Sequence, residues 1–390
     1  VAGHIRKRKT SNGYTWQIII EAGFESEGKR KRIYKTVNGT KKEAEKVLTM
    51  MLTELNKGTL IEPSRLTVQE YLREWVKTYV EPNLAPTSLD GYRVNIERHI
   101  IPSIGHLKLQ DLTPLHLQRL YKERLERGRV DGKGGLSAKS VIYIHRNIRE
   151  ALDHAVRMQI IPRNVADLVT LPRVKPFKSE VYDEDQIKKL LQAAQGTDME
   201  LPVTLAAALG LRRGELLALK WENVDLDGKT ISVCDNLVPT SKGNITKAPK
   251  SENSRRTLDF PEGLAPLLKR HRRLQNERKL KLGPAYCNQG HVCCQEDGKY
   301  WAPSYFSKKF ADFLKRHKLP HTRLHDLRHS NATLMLKYGV PAKVASQRLG
   351  HSSIGITLDL YSHVMGDMQK GAAEKIDVGL FHSTVTASQG

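Results

Sequence analysis

Near the N-terminus apolar residues recur at every second position. Tyr14, Trp16, Ile18 and Ile20 alternate with Thr15, Gln17, Ile19 and Glu21, which predicts a strand with one mainly apolar face. His4 to Lys9 reads as a basic strand before it, and Ser11-Asn12-Gly13 as the turn between them. A third strand near Arg30 to Lys35 carries Arg30, Lys31, Arg32 and Lys35. From Thr40 to about Leu55 the period becomes helical. Residues 1–58 are thus expected to form a small α+β domain, a three-stranded sheet backed by one helix.

Gly58 to Arg65, with Pro63 and Ser64, reads as a linker. Behind it the apolar period is helical throughout. Thr67-Val68-Gln69-Glu70 has the form of a capping box, followed by Val68, Leu72, Trp75, Val76 and Tyr79 on one face. Thr87 is the expected cap of a second helix containing Tyr92, Ile96 and Ile100. Thr113-Pro114 places a cap and then proline at the first helical position. A fourth helix starts at Ser137 or Ser140, with Val141, Ile144, Ile148, Leu152 and Ala155 in one stripe. Residues 66–170 are expected to be an all-α domain whose solvent faces carry Lys122, Arg124, Arg127, Arg129 and Arg146.

Leu171 to Lys178 holds two prolines and three basic residues, which suits an extended linker. The last expected domain, 180–390, is mainly α with a small β-sheet. Its strand-like stretches are Thr230–Val233, Ile245–Thr246, Thr257–Phe260 and the surroundings of Val292–Cys294. Gly366 to Lys375 suits a short helix, and Ile376, Val378, Leu380 and Phe381 form an apolar tail.

Charge sharpens this picture. The chain has 64 Lys plus Arg against 42 Asp plus Glu, a net charge of +22 that points to a polyanionic partner, most often nucleic acid. Residues 1–63 alone hold 13 basic and 7 acidic residues, so the sheet's open face is a candidate to enter a DNA groove through Thr15, Gln17, Arg30, Arg32 and Lys35. Arg146 is the corresponding candidate in the helical domain. No run of about 18 apolar residues suggests a membrane span. No signal-peptide pattern is read, and four cysteines are too few for a disulfide framework, so a reducing cytosol is expected. Cys287, His291, Cys293 and Cys294 lack a usual zinc spacing and are read as apolar strand and loop positions, with no metal.

Four segments of the last domain carry chemistry-bearing residues in order. They are Leu209 to Trp221 with Arg212, Arg213 and Glu215; Lys250 to Leu258; His325-Asp326-Leu327-Arg328-His329; and Leu349-Gly350-His351, followed by Tyr361-Ser362-His363. Taken singly, each has a plain structural explanation: Arg212 and Glu215 as a surface helix pair, Tyr361 as a core aromatic. The ordered set resembles the tyrosine recombinase (phage integrase) family: the Gly-x-Arg-x-x-Glu box, a hairpin lysine, His-x-x-Arg, Leu-Gly-His and a downstream tyrosine. The upstream layout is similar to the arm-binding integrases of phages and conjugative transposons.

The resemblance implies a site-specific recombinase that integrates and excises a mobile element. Tyr361 is then the nucleophile, Lys250 the donor of a proton to the leaving 5′-oxygen, and His325 a general acid–base or phosphate donor. His351 would donate to a nonbridging oxygen or position Tyr361, and Glu215 would orient its neighbours from behind. Lys242 and Lys247 are the nearby alternatives to Lys250, and Arg213 to Arg212. The implied partners are double-stranded DNA with core and arm-type sites and a homotetramer on DNA. An excisionase and a host DNA-bending protein are further candidates.

Elementary chemistry agrees. Phosphodiester cleavage builds charge on nonbridging oxygens, which two planar, permanently charged guanidiniums are suited to hold; Arg212 and Arg328 are the candidates. A covalent phosphotyrosine conserves the bond energy, so no ATP, metal or other cofactor is expected, and no Gly-x-x-x-x-Gly-Lys-Ser/Thr loop is found. A topoisomerase of type IB would share the nucleophile without strand exchange. A DNA-binding regulator without chemistry would share the charge but leave the ordered set unexplained.

Overall fold

The computed structural model describes residues 3–10, 13–24, 30–57, 60–174, 181–241, 243–247, 255–351, 353–361, 373–374 and 376–382; at Tyr361 the description covers the backbone alone. The chain divides into two compact units, Val1–Pro176 and Phe177–Gly390.

The first unit begins with an antiparallel sheet of β1 (Gly3–Thr10), β2 (Gly13–Phe24) and β3 (Arg30–Val37), followed by a helix Lys41–Asn56. Thr40 caps that helix and Glu43 closes a capping box. Ile18, Ile20 and Ile33 meet Met51 of the helix in a small core. Full burial of each isoleucine stabilises the module by roughly 1.5–3 kcal/mol. Tyr14, on the apolar face by its period, is 57% exposed instead and carries Lys7 Nζ 4.0 Å from its ring centroid. Strand register divides the basic candidates. Lys35 pairs with Ile18, on the face that packs inward, whereas Arg32 pairs with Glu21 and Gln17 with Thr36 on the opposite face. Arg30 and Arg32 both approach the Glu21 carboxylate at 3.6 Å.

A second, larger core is all-helical and is built around Trp75, Ile96, Ile100, Leu117, Ile144 and Leu152. Thr67 and Glu70 form the expected box, Thr113 caps the helix Pro114–Arg127, and Ser137 caps Ala138–Arg157. The helix Pro86–Val94 starts at its proline, after Ala85 and without a side-chain cap, so Thr87 is not the cap. The preset φ of Pro86 makes it the first helical residue and draws Thr87 inside. Arg124 is another correction. It is 9% exposed, not solvated, and donates to Ser103 and to Glu123.

The second unit has one large core with helices Glu184–Ala194, Glu200–Leu209, Pro303–Arg316 and Leu324–Lys337. Its sheet has the order β4 (Val224–Asp225), β5 (Thr230–Val233), β8 (Arg256–Asp259). A separate hairpin pairs β6 (Asn236–Thr240) with β7 (Gly243–Lys247). β6 was not anticipated because Pro239 argues against a strand; a two-stranded ribbon tolerates it at an edge. Val292–Cys294 forms no strand, only isolated bridges of Lys220 with His291 and Cys294 with Tyr300. Among the described residues no helix is long and apolar enough to cross a membrane.

Candidate active site

Four elements converge on one cluster of charge: the start of helix Arg213–Ala218, strand β8, the helix Leu324–Lys337, and the end of helix Ala342–Leu349. At its centre lies Glu215, whose side chain is 3% exposed. Arg212, the residue before its helix, donates from Nη1 to Glu215 Oε1 at 2.6 Å and from its backbone N–H to Oε2 at 2.9 Å. Arg256 grips the same carboxylate from β8, Nη2 to Oε2 at 2.9 Å and Nη1 to Oε1 at 3.2 Å. Burial, the largest single influence, raises the Glu215 carboxyl. The hydrogen bonds and charge of Arg256, with the backbone N–H and charge of Arg212, outweigh it and hold the group at about 2.

One carboxylate does not balance three arginines, and backbone carbonyls at two helix ends supply the rest. Arg328 Nη1 donates to Gly210 O at 2.8 Å, just past helix Glu200–Leu209, and Nη2 donates to Leu349 O. Arg212 Nη2 donates to Gly350 O, and Arg256 Nε to Arg348 O at 2.8 Å. Helix C-termini present unpaired carbonyls and partial negative charge, which suits cations. The two glycines of the Gly-x-Arg and Leu-Gly-His motifs now have a physical reason. Gly210 has φ +61°, and a Cβ there would stand 2.4 Å from Leu349 Cδ2. Gly350 also sits in the left-handed region, at φ +65°, against the Arg256 guanidinium. Arg328 is 1% exposed, and burial followed by the charge of Arg212 lowers its pKa; a guanidinium remains charged all the same. The Arg212 side chain keeps 33% of its surface open to a substrate.

Two imidazoles flank the arginines. His351 Nδ1 is 2.8 Å from the hydroxyl of Thr357, a fully buried residue on helix Ile354–Tyr361. Burial, then the charges of Arg328 and Arg212, push His351 down to about 3. His325 stands near the start of its helix, which Arg323 and Asp326 cap with paired hydrogen bonds of 2.7 and 2.8 Å. Its ring meets His329 edge-on at 5.1 Å between centroids. His325 is exposed at its surface, while its ring stands close to His329 and Arg328. Burial, His329 and Arg328 push it down to about 4. Both rings are therefore neutral near pH 7, each with one N–H to donate and one nitrogen to accept. Each depressed histidine binds its proton more readily in the unfolded chain. The stability they contribute is thus full above about pH 6.5 and lost as pH falls towards their folded values. Thermal unfolding of the free protein is expected to be level from pH 7 to 8 and to shift to lower temperature at pH 5.5; an unchanged midpoint would contradict the neutral assignment.

The structure thus brings together Arg212, Glu215, Arg328, His325 and His351 of the expected set. Tyr361 is the last residue of helix Ile354–Tyr361, four positions after Thr357, and its side chain is not described. Lys250 and Lys242 lie outside the described residues; β7 ends at Lys247 and β8 begins at Arg256. Thr15, Gln17, Arg30, Arg32, Lys35 and Arg146 belong to the first unit, where Arg146 is exposed beside the Tyr143 ring. Two residues of the cluster were not anticipated. Arg256 stood in the run behind Lys250 without a role, and Thr357 carried no signal beyond its place between His351 and Tyr361.

The same fold occurs in solved integrase structures. The Tn1549 transposon integrase, solved with transposon right-end DNA, superposes with a TM-score of 0.65 at 18% identity, over 80% of this chain and 99% of that one. A lambda integrase fragment, solved as a dimer on a COC′ core site, gives 0.55 at 20% identity, over 76% and 95%. By sequence, the Phage integrase family profile matches residues 180–367, and the Phage integrase N-terminal SAM-like domain matches 67–125. A XerC-like tyrosine recombinase of Caldanaerobacter subterraneus subsp. tengcongensis is 29% identical, covering 93% of this chain and 95% of its own. The ICEBs1 integrase of Bacillus subtilis is 27% identical, over 95% and 98%. The fold is that of the tyrosine recombinases. The chain belongs to the phage integrase family, enzymes that cleave and rejoin DNA.

Proposed function

We propose that this chain is the site-specific recombinase of a mobile genetic element and works through a 3′-phosphotyrosine on Tyr361. The observation that carries the reading is the arginine cluster clamped on Glu215, with two neutral imidazoles beside it. Arg212, partly open, takes the nonbridging oxygens of the scissile phosphate, while Arg328 supplies fixed positive charge from behind. The Tyr361 phenol passes its proton to the accepting ring nitrogen of His325 as its oxygen attacks phosphorus, the bond to the 5′-oxygen breaks, and the Lys250 ammonium protonates the leaving oxygen. His325 and His351 donate hydrogen bonds to the phosphate. A 5′-hydroxyl of a second strand then attacks the phosphotyrosine and restores a phosphodiester, so the bond count is conserved and no nucleotide hydrolysis is needed.

Thr357 holds the His351 ring by its Nδ1 and leaves Nε2 to face the arginines. Thr357→Val is expected to slow cleavage of a nicked core substrate about tenfold, the worth of one hydrogen bond, while Thr357→Ser retains most of the rate. Equal losses in the two variants would contradict this role.

We further assign residues 1–58 to arm-type sites, 66–170 to the core site and 180–390 to catalysis, within a homotetramer on DNA in the bacterial cytoplasm and nucleoid. An excisionase and a host DNA-bending protein are candidate partners. The tail residues Ile376, Val378, Leu380 and Phe381 are 57–69% exposed. An apolar groove of about 530 Å³, lined by Ile187, Leu191, Leu334, Met335 and Val344, is a candidate seat for a neighbour's tail. Deleting residues 366–390 is expected to weaken tetramer assembly on DNA without loss of core-site binding by one protomer. Unchanged assembly in native gels would sink the assignment.

The reading is tested with two linear duplexes of different length, each bearing the candidate core site. Recombinant duplexes with exchanged flanks are expected. No recombinants from these duplexes, with relaxation of a supercoiled plasmid at any sequence, would instead indicate a topoisomerase.

A further inference from the structure

A cavity of about 560 Å³ opens beside the catalytic cluster and shares His325 with it. Its two walls differ in chemistry. One is apolar, made by Leu237, Val238 and Pro239 of β6 with Phe310 and Ala311 of helix Pro303–Arg316. The other presents Arg213, His321 and His325, and among the described residues no carboxylate lines the space. Arg213 follows the clamp residue Arg212 but points away from Glu215, and its Nη1 donates to Ser307 Oγ at 2.7 Å. Burial lowers its pKa, a sign that its charge is poorly solvated and would gain from an anion. Thr322 stands behind this wall, 2% exposed, with its hydroxyl shut off from the space.

An apolar wall facing a cationic, hydrogen-bonding wall fits a nucleotide: a flat base on one side, a phosphate and base-edge polar atoms on the other. A fully stacked duplex cannot insert a base here, so the occupant must be unstacked. Resting on the strand-cleavage reading above, we propose that this cavity holds one unstacked deoxynucleotide of the cleaved strand, next to the scissile phosphate. Its base lies on the Leu237–Pro239 wall with an edge atom at the His321 ring, and its phosphate meets Arg213. Capturing that nucleotide keeps the freed end near the phosphotyrosine while weakening its pairing with the old partner strand, which strand exchange requires.

The test uses the full-length protein and a duplex whose cut position has been mapped through the covalent adduct. A single 2-aminopurine is placed in turn at each of the two nucleotides on either side of that position. With Tyr361→Phe protein, which holds the uncut complex, one position is expected to brighten severalfold on binding, because the aliphatic wall does not quench as neighbouring bases do. Ala311→Phe, which fills the cavity without touching a charge, is expected to abolish that rise while binding affinity for the duplex stays within a few fold. Val238→Phe, which narrows the space from β6, is expected to reduce the rise and serves if Ala311→Phe does not fold. No brightening at any position, or a rise unaffected by both cavity variants, overturns the subsite and leaves the recombinase reading intact. Absence of a covalent adduct from the wild-type protein would overturn both.

Discussion

Arg328→Ala is expected to lower strand cleavage by about 10³-fold or more, with core-site binding affected far less. Removing a single preorganised donor from an oxyanion site costs about 10²–10³-fold, and Arg328 brings a full charge as well. It is 1% exposed and held by the carbonyls of Gly210 and Leu349, so its position is fixed before any DNA arrives. Alanine also leaves those two carbonyls unpaired, and some loss of stability will accompany the loss of rate. Arg328→Lys separates the two effects. It keeps the charge but cannot bridge both carbonyls, so the rate is expected to fall about 10²-fold with a smaller change in melting temperature. Single-turnover cleavage of a nicked substrate reads the chemistry, and thermal unfolding reads the fold. A full cleavage rate in Arg328→Lys would remove the requirement for a planar, doubly anchored guanidinium.

Glu215→Ala is the second large effect, and it falls on stability. Glu215 pairs with both Arg212 and Arg256, and its loss removes the carboxylate that the two guanidiniums share. Breaking a buried pair from one side costs about 3–5 kcal/mol. The carboxyl's own titration gives a similar scale, since lowering it from 4.5 to about 2 corresponds to about 3 kcal/mol. Because the folded value lies below the unfolded one, this contribution is complete above about pH 4.5 and is lost as pH falls towards 2. Glu215→Ala is therefore expected to unfold at a much lower denaturant concentration at pH 7, with the gap from wild type closing as pH falls from 4.5 to 2. An equal gap at pH 7 and pH 3 would show that the carboxylate's charge is not what stabilises the cluster.

Much of this was legible in the chain because it is encoded locally. The alternation in β2, the capping box of Thr67 and Glu70, and the Thr113-Pro114 start each need only a few adjacent residues. The motif residues could be picked out for the same reason. Their meeting could not be derived that way, because Glu215 and Arg256 are 41 positions apart and Arg328 reaches Gly210 across 118. Arg256 looked like one more basic residue in a basic run, and only the reach of its side chain from β8 to Glu215 singles it out. Arg124 was hidden by the opposite error, since a helical stripe does not tell which charged residue turns back onto Ser103. Lys35 shows the limit of counting charge along a strand, because neighbours in sequence alternate between the two faces of the sheet.

The central claim is a covalent bond between Tyr361 and DNA. It is measured most directly by incubating wild-type and Tyr361→Phe proteins with a nicked duplex carrying the candidate core site. Reactions include a chelator and no nucleotide, are stopped with denaturant, and the adducts are resolved by size. The account predicts a denaturant-stable adduct for wild type alone, joined to Tyr361 through a 3′-phosphate, with Tyr361→Phe binding the same DNA undiminished. Tight, specific binding by both proteins with no adduct from either, or an adduct that survives Tyr361→Phe, would contradict it.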